Sequence, residues 1–195
     1  METLKRWRWW LFAIIFLGGL LAFFERWRTY KENSQDGHIL AAARRHGVHP
    51  ALVKAVVWRE SKFNPRVRGD AGEIGLMQVG KSAAKEWADA EHSVLFQHEQ
   101  LFDPARNTIA GTWYLRKMLD RYARTDNPPA YALAAYNAGP GNVARWNKGM
   151  ASTNSEAFLK QMDYPGTRRY VRSILKRYEH YKHKFPPKNY RETTS

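Results

Sequence analysis

The chain has 195 residues, no cysteine and a formal charge of +14. Its length holds one domain of ordinary size plus an appendage. The missing cysteine excludes a disulfide framework, a thiolate metal site and a lipid-modified cysteine anchor. The charge calls for an anionic partner or surface: nucleic acid, anionic lipid or anionic cell wall.

Lys5, Arg6 and Arg8 precede an uninterrupted apolar run from Trp9 to Phe24. These sixteen residues fall slightly short of a full membrane span, and Trp7 and Trp27 extend the run as interfacial aromatics. A signal-peptide core and a retained anchor are the two readings. The run ends Ala22-Phe23-Phe24-Glu25-Arg26-Trp27, which lacks a small-x-small cleavage pattern. An uncleaved signal-anchor over residues 1–29 is therefore expected. The short basic start predicts a cytoplasmic N-terminus with the rest of the chain outside; Arg26, Arg28 and Lys31 pull against that orientation. Residues 30–37 read as a polar tether.

Asp36 is a cap for a helix carrying Ile39, Leu40 and Ala43, with Gly47 as its stop. His38, His46 and His49 show no ligand spacing with nearby carboxylates and read as surface or packing residues, so no metal is expected. Pro50 opens the next helix. Leu52, Val56 and Glu60 are spaced i, i+4, i+8, beside Val53 and Val57, which puts Glu60 on the apolar face. A desolvated carboxylic acid holds its proton near neutral pH and can give it to a leaving group. The competing reading is a border residue reaching for water. Asn64-Pro65 ends this helix, and Gly69, Gly72 and Gly75 form a loop able to fold back beside Glu60. Of the two acids in that loop, Glu73 is expected in solvent.

Ser82–Ala90 predicts a helix with Ala83, Ala84 and Trp87 on one side; residues 91–102 show no decisive pattern. Asp103-Pro104 starts a helix whose stripe of Ile109, Ala110, Trp113, Tyr114 and Met118 reads as core. Asn127-Pro128-Pro129 breaks the chain, and the small residues from Ala130 to Tyr136 predict a central helix. Gly139-Pro140-Gly141 turns into a helix over residues 142–147, and residues 150–163 are weakly patterned. The last helix opens at Tyr164-Pro165, with Tyr170, Val171, Ile174, Leu175, Tyr178 and Tyr181 inward. Residues 185–195 form a polar tail expected to be disordered. The fold class is mainly α, with a single domain over residues 38–184.

Three motifs carry a resemblance: Glu60-Ser61-Lys62-Phe63-Asn64-Pro65, Gly75-Leu76-Met77-Gln78, and Ala135-Tyr136-Asn137-Ala138-Gly139-Pro140-Gly141-Asn142-Val143. In this order and at these distances they resemble the Slt-like (family 1) lytic transglycosylases, relatives of goose-type lysozyme, over roughly residues 38–183. The resemblance implies a lysozyme-like catalytic domain acting on the β-1,4 bond between N-acetylmuramic acid and N-acetylglucosamine in peptidoglycan. It implies Glu60 as acid and then base, with Met77, Gln78, Tyr136 and Asn137 lining the cleft. Tyr136 is expected to reach the carboxyl or the sugar, and Asn137 the acetamido group. Asn107 and Gly111 match a family pattern in which their helix packs beneath the site. Asp70 matches an acid of goose-type relatives, there to position water or stabilise positive charge; its alternative is a turn aspartate. Three positions depart from the pattern: Gly69 replaces a serine, Gly80-Lys81 a Met-Pro, and Gly166 a sugar-binding glutamate.

Retaining glycosidases use two carboxylates, and this chain offers one strong acid with no second in an equally convincing place. An intramolecular mechanism needs only one. Glu60 protonates the glycosidic oxygen, then deprotonates the C6 hydroxyl, which closes a 1,6-anhydro sugar. No cofactor is required. The expected partners are peptidoglycan glycan strands and, through the N-terminal helix, the bacterial inner membrane, with the domain on the periplasmic side. Rival readings are a muramidase using water with Asp70, and a non-catalytic wall-binding module. A nucleic-acid binder is set aside, because the basic residues are spread over helix faces without a reading motif.

Overall fold

The computed structural model describes residues 2–186, and the chain divides into two compact units, Met1–Gln35 and Asp36–Ser195. The first unit is one helix, α1 (Glu2–Asn33). Trp9, Trp10, Leu11, Phe12, Ile14, Ile15, Phe16 and Leu17 are all exposed. Near-consecutive residues at about 100° each cover the whole circumference, so α1 is apolar all round rather than along one stripe. It is long and apolar enough to cross a membrane. The helix runs through the first half of the expected tether, because Thr29 to Asn33 contains neither glycine nor proline to stop it. What remains between α1 and the next helix is Ser34-Gln35, where Ser34 Oγ donates to the Lys31 carbonyl at 2.8 Å.

The second unit holds eight α-helices among the described residues: α2 (Asp36–His46), α3 (Pro50–Ser61), α4 (Lys81–Ala90), α5 (Pro104–Arg121), α6 (Pro128–Ala138), α7 (Pro140–Trp146), α8 (Ser155–Gln161) and α9 (Pro165–Lys182). α3, α5, α6, α7 and α9 each open on proline, whose fixed φ suits the first helical position. His49 caps α3, its Nδ1 accepting the Ala51 N–H at 3.2 Å, and Asp103 caps α5 through the Arg106 N–H at 2.8 Å. Two helices make the centre. Ala51 to Val57 of α3 are buried on every face, as are Ala130 to Ala135 of α6, where small side chains let neighbours approach. α9 packs on both, and α5 lies between α2 and α6.

The weakly patterned stretch 150–163 folds into a 3-10 turn (Gly149–Ser152) and α8. Seven residues are too few to display a helical period. Tertiary contact fixes this stretch instead: Tyr131 of α6 stacks on Phe158 at 4.1 Å and donates its hydroxyl to the Ala151 carbonyl at 2.8 Å. The unassigned region before α5 ends in a second 3-10 turn, His98–Phe102.

Lys54 sits inside the core at 2% exposure. Asp36 meets its ammonium at 2.6 Å, and the Phe185 ring lies 4.3 Å away. Phe185, assigned to the tail by sequence, is itself buried, and its N–H donates to the Tyr181 carbonyl at 2.7 Å. The apolar ring, not the polar residues after it, decides where packing ends. Residues 187–195 of the expected tail lie outside the described residues.

Candidate active site

α3 ends abruptly beside the glycine loop. Lys62 and Phe63 both take positive φ, 52° and 63°. Left-handed backbone costs a non-glycine residue about 1–2 kcal/mol, and burial of the Phe63 ring offsets it. The reversal leaves Glu60 at the last turn of α3, facing the returning loop.

That loop is braced from α5. Asn107 is fully buried; its Nδ2 donates to the Ile74 and Leu101 carbonyls at 2.7 and 2.9 Å, and its Oδ1 accepts the Met77 N–H at 2.8 Å. Gly75, at φ +80°, is pressed against this side chain, and a Cβ on it would fall 2.7 Å from the Leu101 carbonyl. Gly111 is equally confined, since a Cβ there would fall 2.7 Å from Met77 Sδ. Short antiparallel bridges, Arg68 to Ile74 and Ile74 to Val79, fold the loop on itself.

The result is a cleft of about 400 Å³ with Glu60 and Glu73 among its walls, together with Gln78, Tyr114, Tyr136 and Asn137. The Glu60 carboxyl accepts the Tyr170 hydroxyl at 2.5 Å. Burial pushes its pKa up to about 7; the Glu73 charge adds to the rise, while the Tyr170 bond and the Arg59 and Lys62 charges oppose it. Glu60 nevertheless stays partly exposed and lines the cleft, so a bound group can reach it.

The residues singled out by sequence are distributed unevenly. Glu60, Gln78, Tyr136 and Asn137 share the cleft. Gln78 spends both amide hydrogens on the loop, donating to the Val67 and Gly75 carbonyls at 3.0 and 2.9 Å. Asn137 accepts the Thr167 hydroxyl at 2.8 Å, which fixes its amide plane while the residue stays exposed. Tyr136 donates to the Met77 carbonyl at 2.8 Å rather than to Glu60. Met77 is fully buried beneath Gly111 and offers that carbonyl, not its side chain. Asp70 is exposed and does not line the cleft. Glu73, assigned to solvent, is a cleft carboxylate. Tyr114 packs against the core as expected and also forms part of the cleft wall. Tyr170 is buried on the inner side of α9 as expected, and its hydroxyl also bonds the acid. Only this last role had a signal, a tyrosine hydroxyl on a buried stripe that must find a partner.

The family model for the transglycosylase SLT domain matches residues 37–159. The chain belongs to this SLT family. The membrane-bound lytic murein transglycosylase C of Klebsiella pneumoniae (strain 342) is 41% identical over 115 residues, covering 56% of this chain and 32% of that protein. The soluble lytic murein transglycosylase of Salmonella typhimurium is 31% identical over 138 residues, covering 70% of this chain and 21% of that one. The X-ray structure of an inactive mutant of the lytic transglycosylase Slt from Pseudomonas aeruginosa superposes with a TM-score of 0.69 at 28% identity, covering 76% of this chain and 24% of that one. The SLT chain thus spans a third or less of the length of these relatives. Its fold is the lysozyme-like fold of the family, and α1 is long and apolar enough to cross a membrane.

Proposed function

We propose that the chain is a lytic transglycosylase that cleaves the N-acetylmuramic acid–N-acetylglucosamine β-1,4 bond of peptidoglycan, with Glu60 as acid and then base. The observation that carries this reading is the Glu60 carboxyl itself: buried enough to hold a proton near pH 7, yet open to a cleft. Glu60 gives that proton to the glycosidic oxygen as the bond to the anomeric carbon breaks. The resulting carboxylate takes the C6 hydroxyl proton, and the C6 oxygen closes on the same carbon. The Tyr170 hydroxyl stabilises the carboxylate between the two steps. Asn137, its oxygen held by Thr167, has an amide donor to offer an acetamido carbonyl. Two findings on relatives support the assignment: the curated relatives are named for murein transglycosylation, and the inactive Pseudomonas aeruginosa mutant has a glutamate replaced by glutamine.

The site argues against a wall-binding module, because a module gains nothing from a desolvated acid. We further propose that α1, long and apolar enough to cross a membrane, spans the inner membrane once, with the second unit on the periplasmic side. The test is muropeptide release by the full chain in detergent, with Glu60→Gln beside it. Release should fall at least about 100-fold in the variant, while sedimentation with insoluble peptidoglycan persists. Equal release by both proteins removes Glu60 from the mechanism. No release by either, with sedimentation intact, makes the chain a binding module.

A further inference from the structure

Glu73 is built into the cleft rather than left at its edge. Its carbonyl accepts the Gly69 N–H at 2.8 Å and its Oε2 accepts the Ala71 N–H at 3.2 Å. The next residue, Ile74, is fully buried and exchanges both backbone hydrogen bonds with Val79, at 3.2 and 3.0 Å. Opposite the carboxylate stands Gly69, the position where the resemblance leads one to expect serine. A Cβ on Gly69 would collide with Glu73 Oε2 and sit 3.3 Å from its Cδ. The absent side chain is therefore the space the carboxylate occupies. Glu73 makes no ion pair among the described residues. The carboxylate therefore has no cation beside it, and it shares the cleft with Glu60.

We propose that Glu73 serves as the base of a hydrolytic branch in this cleft, holding a water at the anomeric carbon so that reducing-end fragments form beside the anhydro ones. The inference rests on Glu60 being the acid of the reaction above. The Glu60 proton passes to the glycosidic oxygen, and the bond from that oxygen to the anomeric carbon breaks with its electron pair on the oxygen. The water oxygen bonds to the carbon, and the water proton goes to Glu73. One water is consumed and one anomeric hydroxyl is made. Glu73 then loses its proton to solvent, and Glu60 regains one. The intramolecular route asks only for Glu60; water attack asks for a second carboxylate.

The experiment is a product-mass analysis of purified peptidoglycan digested by the full chain in detergent. Wild type should release anhydro and reducing-end muropeptides together. Glu73→Gln should lower the ratio of reducing-end to anhydro products about 100-fold. Gly69→Ser, which pushes the carboxylate from its seat, should lower the same ratio and serves as the deciding variant if Glu73→Gln does not fold. A pH profile separates chemistry from bracing: without the Glu73 charge, the Glu60 pKa falls and the upper limb of anhydro release moves to lower pH. A wild-type digest with anhydro products alone overturns the proposal, as does an unchanged product ratio in the variants. Reducing-end release that survives Glu60→Gln overturns the acid assignment, and the hydrolytic branch falls with it.

Discussion

At the scale of single residues, one carboxyl and its neighbours set the chemistry. Glu60 titrates near 7 in the folded chain, against an ordinary value of 4.5. Its acid form is therefore lost as pH rises through 7, and kcat/KM should fall above that pH. Stability follows the same group with a definite sign. A raised folded pKa means the native state binds the proton more tightly, so this contribution is full below pH 4.5 and lost as pH climbs to 7. The loss is on the order of 3 kcal/mol. Glu60→Gln, which has nothing to ionise, should raise the Tm at pH 8 and leave it unchanged near pH 4; equal Tm values at pH 8 would show that the carboxyl is not desolvated. Tyr170 acts in the opposite direction, since its hydrogen bond favours the ionised form. Tyr170→Phe should shift the upper limb of the activity profile to higher pH, by an amount read directly from the kcat/KM curve.

At the scale of elements, the site is made where a central helix stops and a braced loop returns. Asn107 carries that brace through three buried hydrogen bonds. Asn107→Ala should cost about 3 kcal/mol in chemical denaturation and cost activity as well, because the loop carries Glu73 and Gln78. Much of this architecture was legible. The proline starts of α3, α5 and α9, the Asp103 cap, the Gly47 stop and the small-residue centre of α6 are local signals that fell where the helices form, while α6 and α7 open on Pro128 and Pro140, two residues before their expected starts. The central position of α3 was legible only in part. A helix buried on all faces reads like an amphipathic one when its single exposed arc is short. What escaped was non-local. Glu73 and Asp70 are three residues apart in one loop, and composition cannot tell which faces inward; the bridges through Ile74 and the bare Cα of Gly69 decide it. Tyr170 is 110 residues from Glu60, and only the packing of α9 against α3 joins them.

At the scale of the whole molecule, a basic unit is joined to an apolar helix. The +14 charge favours residence near anionic wall and anionic lipid, an attraction that salt screens within about 10 Å. Deleting residues 1–33 should move the protein from the membrane pellet into the soluble fraction after alkaline extraction, while the intact chain stays in the pellet; an intact chain released by alkali would mean that α1 does not span. On the proposed function, anchoring by α1 would confine cleavage to the strands within reach of the membrane. All of this depends on bond cleavage by Glu60, and the mass of the products tests that most directly. Purified peptidoglycan digested by the full chain should yield muropeptides ending in 1,6-anhydromuramic acid, and the Glu60→Gln digest should contain none. An absence of anhydro ends from the wild-type digest, or their presence in both, would contradict the account.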